Sequence, residues 1–163
     1  MTISGIPLHP LVVHAAVFLA PAAALVAILF AVRPRWRWAL RHPLAIAAVC
    51  AAIAVQLSAM TGDTLSASLG RSDPNRALIE IHEMWAGRLQ AAAWALAVSA
   101  LVAWWSVPHG SPIPGHEREH PQVAGAVTLS RIAISLIFLL GAATAALTVL
   151  TGHAGAVAVW TGQ

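Results

Sequence analysis

Lysine and tyrosine are absent from this chain, and cysteine occurs once, at Cys50. A lone cysteine excludes an internal disulfide and any zinc or iron–sulfur site built from cysteines. Charge is scarce too: Asp, Glu, Lys and Arg make up 9% of the 163 residues, against about 25% in an ordinary soluble domain. With 59% apolar residues and a mean hydropathy of +0.77, that scarcity excludes a water-soluble globular domain. All nine basic residues are arginine; with six acids they give a formal charge of +3 and a pI near 11.1. No basic tract has the aromatic interleaving of a nucleic-acid surface, so nucleic acid is not an expected partner.

What the chain does have is long apolar runs. Four of them predict transmembrane helices over about 11–32, 43–62, 77–107 and 131–151. The first opens after Pro10, closes at the Arg33-Pro34-Arg35-Trp36-Arg37 cluster and exceeds a signal-peptide core, so it reads as a retained span. The second is rich in alanine, closes at Thr61-Gly62-Asp63 and carries one strongly polar interior residue, Gln56; its small side chains allow close helix approach. The third runs from Ala77 through Arg88 to Val107 before Pro108. The fourth follows Arg131 and closes at Thr151-Gly152-His153-Ala154-Gly155, with the tail Ala156 to Trp160 expected to fold back onto the interface. The fold class is therefore all-α: a single integral-membrane domain, a four-helix up-down bundle. No internal repeat is apparent.

Six arginines (Arg33, Arg35, Arg37, Arg41, Arg118, Arg131) flank one set of span ends and three (Arg71, Arg76, Arg88) the other. The excess predicts a cytoplasmic location for the first set and both termini outside, in the periplasm of a bacterial inner membrane. Trp36, Trp38, Trp104 and Trp105 fall at one boundary, and Trp85 and Trp160 at the other, as interfacial belts do.

Drawn this way, His9, His14, His82 and His153 come from three spans yet share the outer end. At about 1.5 Å per residue, His14, His153 and His82 stand roughly 28, 33 and 38 Å above the arginine boundary, a spread that tilt can absorb. Histidine within or near hydrocarbon usually faces a bundle interior or a wet cavity, and imidazoles from diagonal helices suit the two axial positions of haem b. The expectation is a b-type cytochrome-like protein with His14 and His82 as axial ligands, His153 as substitute or second-site ligand, His9 behind it, and Arg88 holding a propionate. Val17, Phe18, Pro21 and Ala22 beside His14, and Trp85, Ala86 and Leu89 beside His82, would serve as walls or as ordinary core. Met60 and His153, on the other diagonal, could hold a second haem or copper.

Two alternatives stay open. One is a copper- or zinc-binding site at the outer face, using His9, His14, His82 and His153 with Met60 or Asp63. The other is a structural or assembly subunit whose histidines hydrogen-bond in a wet vestibule. His116-Glu117-Arg118-Glu119-His120 matches H-E-x-x-H, but Pro121 and the absence of a third ligand nearby argue against a metalloprotease.

Three segments, Pro7-Leu8-His9-Pro10-Leu11-Val12-Val13-His14, Ile81-His82-Glu83 and Thr151-Gly152-His153-Ala154-Gly155, bracket nearly the whole chain. Together they resemble the bacterial membrane family catalogued as domain of unknown function 2231. The resemblance implies a four-helix integral membrane protein, and relatives fused to Rieske or c-type cytochrome domains imply redox surroundings. Lacking such a domain, this chain would be an electron carrier or complex subunit rather than a stand-alone enzyme. Its expected partners are the lipid bilayer and a redox protein or quinone, with homo-oligomerisation open.

Overall fold

The computed structural model describes residues 2–3, 6–69, 73–106 and 124–160, with side chains for 9–69, 73–106 and 128–160. Thr2–Ile3 pairs antiparallel with Ile6–Pro7. Four helices follow: α1 (Leu8–Val32), α2 (Arg37–Leu69), α3 (Arg76–Ser106) and α4 (Ala124–Trp160), with a 3-10 turn at Pro34–Trp36 between the first two. All four are long and apolar enough to cross a membrane. At about 1.5 Å per residue, their lengths of 25 to 37 residues exceed a hydrocarbon core of about 30 Å, so they tilt or stand proud of it.

The helices run farther than the sequence pattern suggests. Pro43 lies inside α2 rather than at its start, because Arg37 already closes the preceding turn. The Arg37 side chain donates to the Phe30 and Ala31 carbonyls at the end of α1, at 3.1 and 3.0 Å. Nor does α2 stop at Thr61-Gly62-Asp63; it continues to Leu69. Hydroxyls there bond back to their own helix, Thr61 to the Leu57 carbonyl at 2.9 Å, Thr64 to Thr61 at 2.8 Å and Ser68 to Leu65 at 2.6 Å, which keeps polar side chains compatible with helix. α3 starts where the Asp73 carboxylate accepts the Asn75 N–H at 2.7 Å, a side-chain turn of the kind that opens helices. Arg131 sits within α4, which begins at Ala124, and the Ala156 to Trp160 tail continues that helix instead of folding back. The expected H-E-x-x-H segment at 116–120 lies outside the described residues, as do Arg71, His109 and Arg118.

Each helix packs on its chain neighbours and α4 closes on α1, so α1 and α3 form one diagonal and α2 and α4 the other. The contact surfaces are alanine-rich. On α1 they read Ala16, Ala20, Ala23 and Ala27; on α3, Ala93, Ala97, Ala100 and Ala103, a helical spacing of three and four. Lipid gives no hydrophobic drive between helices, so close approach through small residues is what holds them. Gly141 marks the tightest such approach. A Cβ built there would meet Ala27 Cβ at 3.0 Å and the Ala24 carbonyl oxygen at 3.3 Å.

The two ends differ. The largest fully buried side chains, Phe30, Leu44, Leu96, Ile137 and Thr144, lie at mid-depth or toward the α1–α2 turn, called here the arginine end. There Trp104 Nε1 also donates to His42 Nδ1 at 3.2 Å, tying α3 to α2. Toward the opposite end, the histidine end, the buried positions are Ala16, Leu89, Ser66 and Ala154, and each keeps slight exposure.

Gly141→Val is expected to lower thermal stability in detergent by about 1–3 kcal/mol, as overpacking does. Adding Ala27→Gly should recover part of the loss. Equal loss with and without the second change would show that Ala27 is not the obstacle.

Candidate functional site

His9 occupies the first turn of α1, where backbone N–H groups have no partner within the helix. Pro10 follows it at no cost in hydrogen bonds. The imidazole reaches across to α2. Its Nδ1 lies 3.0 Å from the Ser58 carbonyl oxygen and 3.2 Å from Thr61 Oγ1. A carbonyl only accepts, so Nδ1 carries the proton and, in the neutral ring, Nε2 keeps a free lone pair. The ring lies on Gly62, where a Cβ would stand 3.1 Å from His9 Cε1.

The same arrangement recurs between α3 and α4. His82 Nδ1 lies 3.0 Å from the Thr151 carbonyl oxygen, and a Cβ on Gly155 would be 3.1 Å from both His82 Cε1 and Nδ1. In each case the glycine comes four residues after the accepting carbonyl, directly over it on the helix face. Both accepting residues also carry a buried hydroxyl, Ser58 Oγ and Thr151 Oγ1, without a hydrogen-bond partner among the described residues. The α1–α2 and α3–α4 hairpins are thus two copies of one device. α1 and α3 lie on one diagonal, and the two contacts are made at the same end of the bundle.

Below this layer, Gln90 Nε2 donates to Gln56 Oε1 at 2.6 Å, and Trp94 Nε1 donates to the same oxygen at 3.1 Å. That satisfies the Gln56 carbonyl oxygen in a span where water is scarce. Above it, the Arg76 guanidinium bridges α3 to α2. It donates to Ser66 Oγ at 2.9 Å and to Glu80 Oε1 at 3.0 Å, with Glu83 Oε2 at 4.0 Å.

The other residues singled out from sequence lie elsewhere. His14 is exposed and its Nδ1 bonds the Pro10 carbonyl of its own helix. Five residues after His9, it is rotated about 140° around α1. His153 is exposed, as is Met60. Arg88 is exposed with its guanidinium 4.6 Å from the centre of the Trp85 ring. Among the described residues no three His, Cys, Asp or Glu side chains come together to hold a metal ion. The His9–His14–His82–His153 set expected for copper or zinc is therefore not assembled. The structure gives His9 and His82 matching partners, each on the helix that follows its own, where sequence reasoning favoured His14 and His82.

No family model, curated protein or solved structure matches the chain. The repeat inside it supplies the only comparison, and it points to a signal that was legible but unused. Ser58-Ala59-Met60-Thr61-Gly62 and Thr151-Gly152-His153-Ala154-Gly155 both read hydroxyl-x-x-x-Gly, each paired with a histidine early in the preceding helix.

Gly155→Val should displace the His82 ring from Thr151 and destabilise the bundle by roughly 1–3 kcal/mol in thermal melts. Gly152, three residues earlier, has open space around its Cβ position, so Gly152→Ala should be neutral or stabilising by up to about 1 kcal/mol. Identical shifts for the two variants would mean that the ring does not rest on Gly155.

Proposed function

We propose that the protein is a b-type cytochrome-like electron carrier in which His9 and His82 would hold one haem between the helices through their Nε2 atoms. The observation that carries this reading is the duplicated histidine, carbonyl and glycine on diagonal helices. A metal-ligating histidine almost always donates its other ring N–H to a carbonyl, carboxylate or water, which fixes the tautomer and raises ligand basicity. His9 and His82 each do so, leaving both Nε2 atoms as donors to a metal. An axial pair of imidazoles needs two ligands, not three, so the lack of a larger ligand cluster is compatible with haem and argues against the copper or zinc alternative.

The surroundings fit the same group. The alanines and slightly exposed small side chains of the histidine end offer apolar walls that a flat macrocycle could part. The unpartnered hydroxyls of Ser58 and Thr151 stand beside the two ligands, able to reinforce the carbonyls that orient them. Arg76 faces α2 at the rim in place of the expected Arg88, and would exchange Glu80 for a propionate to hold one. When bound, haem iron supplies one-electron transfer between its ferric and ferrous states. The chain's own part would be to hold the group through His9 and His82 and to keep lipid from it.

The reading extends to context. The three segments that resemble domain of unknown function 2231 contain His9, His82, and Thr151 with Gly155, which gives each motif a physical role in this site. The arginine distribution supports the bacterial inner membrane, with the histidine end and both termini periplasmic, and a protein or quinone as redox partner.

Purified protein, as isolated or titrated with haemin, is expected to show a Soret band with low-spin features that sharpen on reduction. His9→Ala and His82→Ala should each abolish it, while His14→Ala and His153→Ala leave it in place. No Soret band after haemin addition, or dependence on His14 but not His9, would overturn the proposal. The first result would favour a structural subunit.

A further inference from the structure

The arginine end carries a second recognition surface, independent of the histidines. Between α1 and α2, Val32, Arg33, Pro34, Arg35 and Trp36 line a half-open cleft of about 510 Å³, within the range of small-ligand clefts. Its cations are not spent on the protein. Arg37 is used to cap α1, but Arg33 and Arg35 are exposed and make no ion pair among the described residues. Arg33 lies 6.0 Å from the centre of the Trp36 ring, which orients it without neutralising it. The described carboxylates, Asp63, Asp73, Glu80 and Glu83, all belong to the histidine end.

An apolar track leads out of the cleft. Leu11, Phe18, Leu25 and Val32 recur every seven residues along α1 and are 50% to 75% exposed. Seven-residue spacing keeps them on one face of the helix, and Val32 is both the end of that stripe and a wall of the cleft. Two unneutralised guanidiniums and an indole at an interface, joined to a continuous apolar stripe of membrane depth, match the chemistry of an anionic phospholipid. Guanidiniums suit phosphate oxygens, tryptophan suits the headgroup level, and basic pockets beside spans bind acidic headgroups.

We infer that the α1–α2 turn is a binding site for an anionic phospholipid, its phosphodiester held by Arg33 and Arg35 beside Trp36 and an acyl chain laid along Val32, Leu25 and Phe18. The occupant is a lipid rather than a soluble anion because the cleft opens onto that stripe.

Native mass spectrometry of the full chain, released from micelles containing equal amounts of phosphatidylglycerol and phosphatidylcholine, tests this. The wild type should retain phosphatidylglycerol in preference, and excess inorganic phosphate should not displace it. The Arg33→Gln/Arg35→Gln double variant should bind it about thirtyfold more weakly, the factor expected of two basic side chains near an anionic surface. Arg33→Lys/Arg35→Lys should retain most of the binding, and Arg131→Gln should leave it unchanged. Equal retention of both lipids, displacement by inorganic phosphate, or equal loss in Arg131→Gln would each overturn the inference. Both arginines being exposed, the double variant should melt like the wild type; if it does not, the lysine variant decides, and loss of preference there counts against the site.

Discussion

A polar side chain among membrane helices is tolerated only when its hydrogen-bonding groups are met, and in this bundle the imidazole N–H to helix-carbonyl bond meets that need at the end where polarity concentrates. It is made twice, His9 to Ser58 and His82 to Thr151. Each bond requires the donor ring to lie nearly on the backbone of the facing helix, which is why a glycine stands under each ring. The bond also fixes the tautomer. In the neutral ring, one that donates through Nδ1 presents an unprotonated Nε2, so the interaction that joins the helices also decides which nitrogen keeps its lone pair.

Around that constraint the bundle divides its labour by depth. Toward the arginine end, Phe30, Leu44, Leu96 and Ile137 fill the space between helices, and the Arg37 cap and the Trp104–His42 bond lock the α1–α2 and α2–α3 contacts. At mid-depth the helices approach through alanine and Gly141. Toward the histidine end the interior holds small side chains, two rings and two hydroxyls with no protein partner among the described residues. The arrangement is made twice: each of two hairpins holds one imidazole against the carbonyl of its second helix.

The sequence showed the architecture because its cause is hydropathy. Four apolar runs bounded by Arg, Pro and Gly fix the helix count, the class and the approximate spans. Helix ends were less legible, since Thr61-Gly62-Asp63 reads as a stop in one dimension while Thr61 bonds back to its own helix in three, and Gly62 and Gly155 read as terminators where they serve as seats for rings. The choice of histidine was the chief obscurity. His14 falls deeper in the first apolar run and looks the more buried, whereas His9 precedes that run; only the extension of α2 past Gly62 gives His9 something to face. The repeat stayed hidden for a related reason. His9 and Ser58 are 49 residues apart, His82 and Thr151 are 69, and so the two hairpins differ too much in loop length to align by eye.

The central claim, that both imidazoles are held with Nδ1 protonated and Nε2 free, is open to direct observation. Nitrogen-15 NMR of histidine-labelled, cofactor-free protein in detergent, at a pH where the rings are neutral, distinguishes the tautomers. His9 and His82 should report a protonated Nδ1. His42 should report the opposite, because its Nδ1 accepts from Trp104. A protonated Nε2 on either His9 or His82 would contradict the account, since that ring could neither donate to its helix carbonyl nor offer a lone pair to a metal.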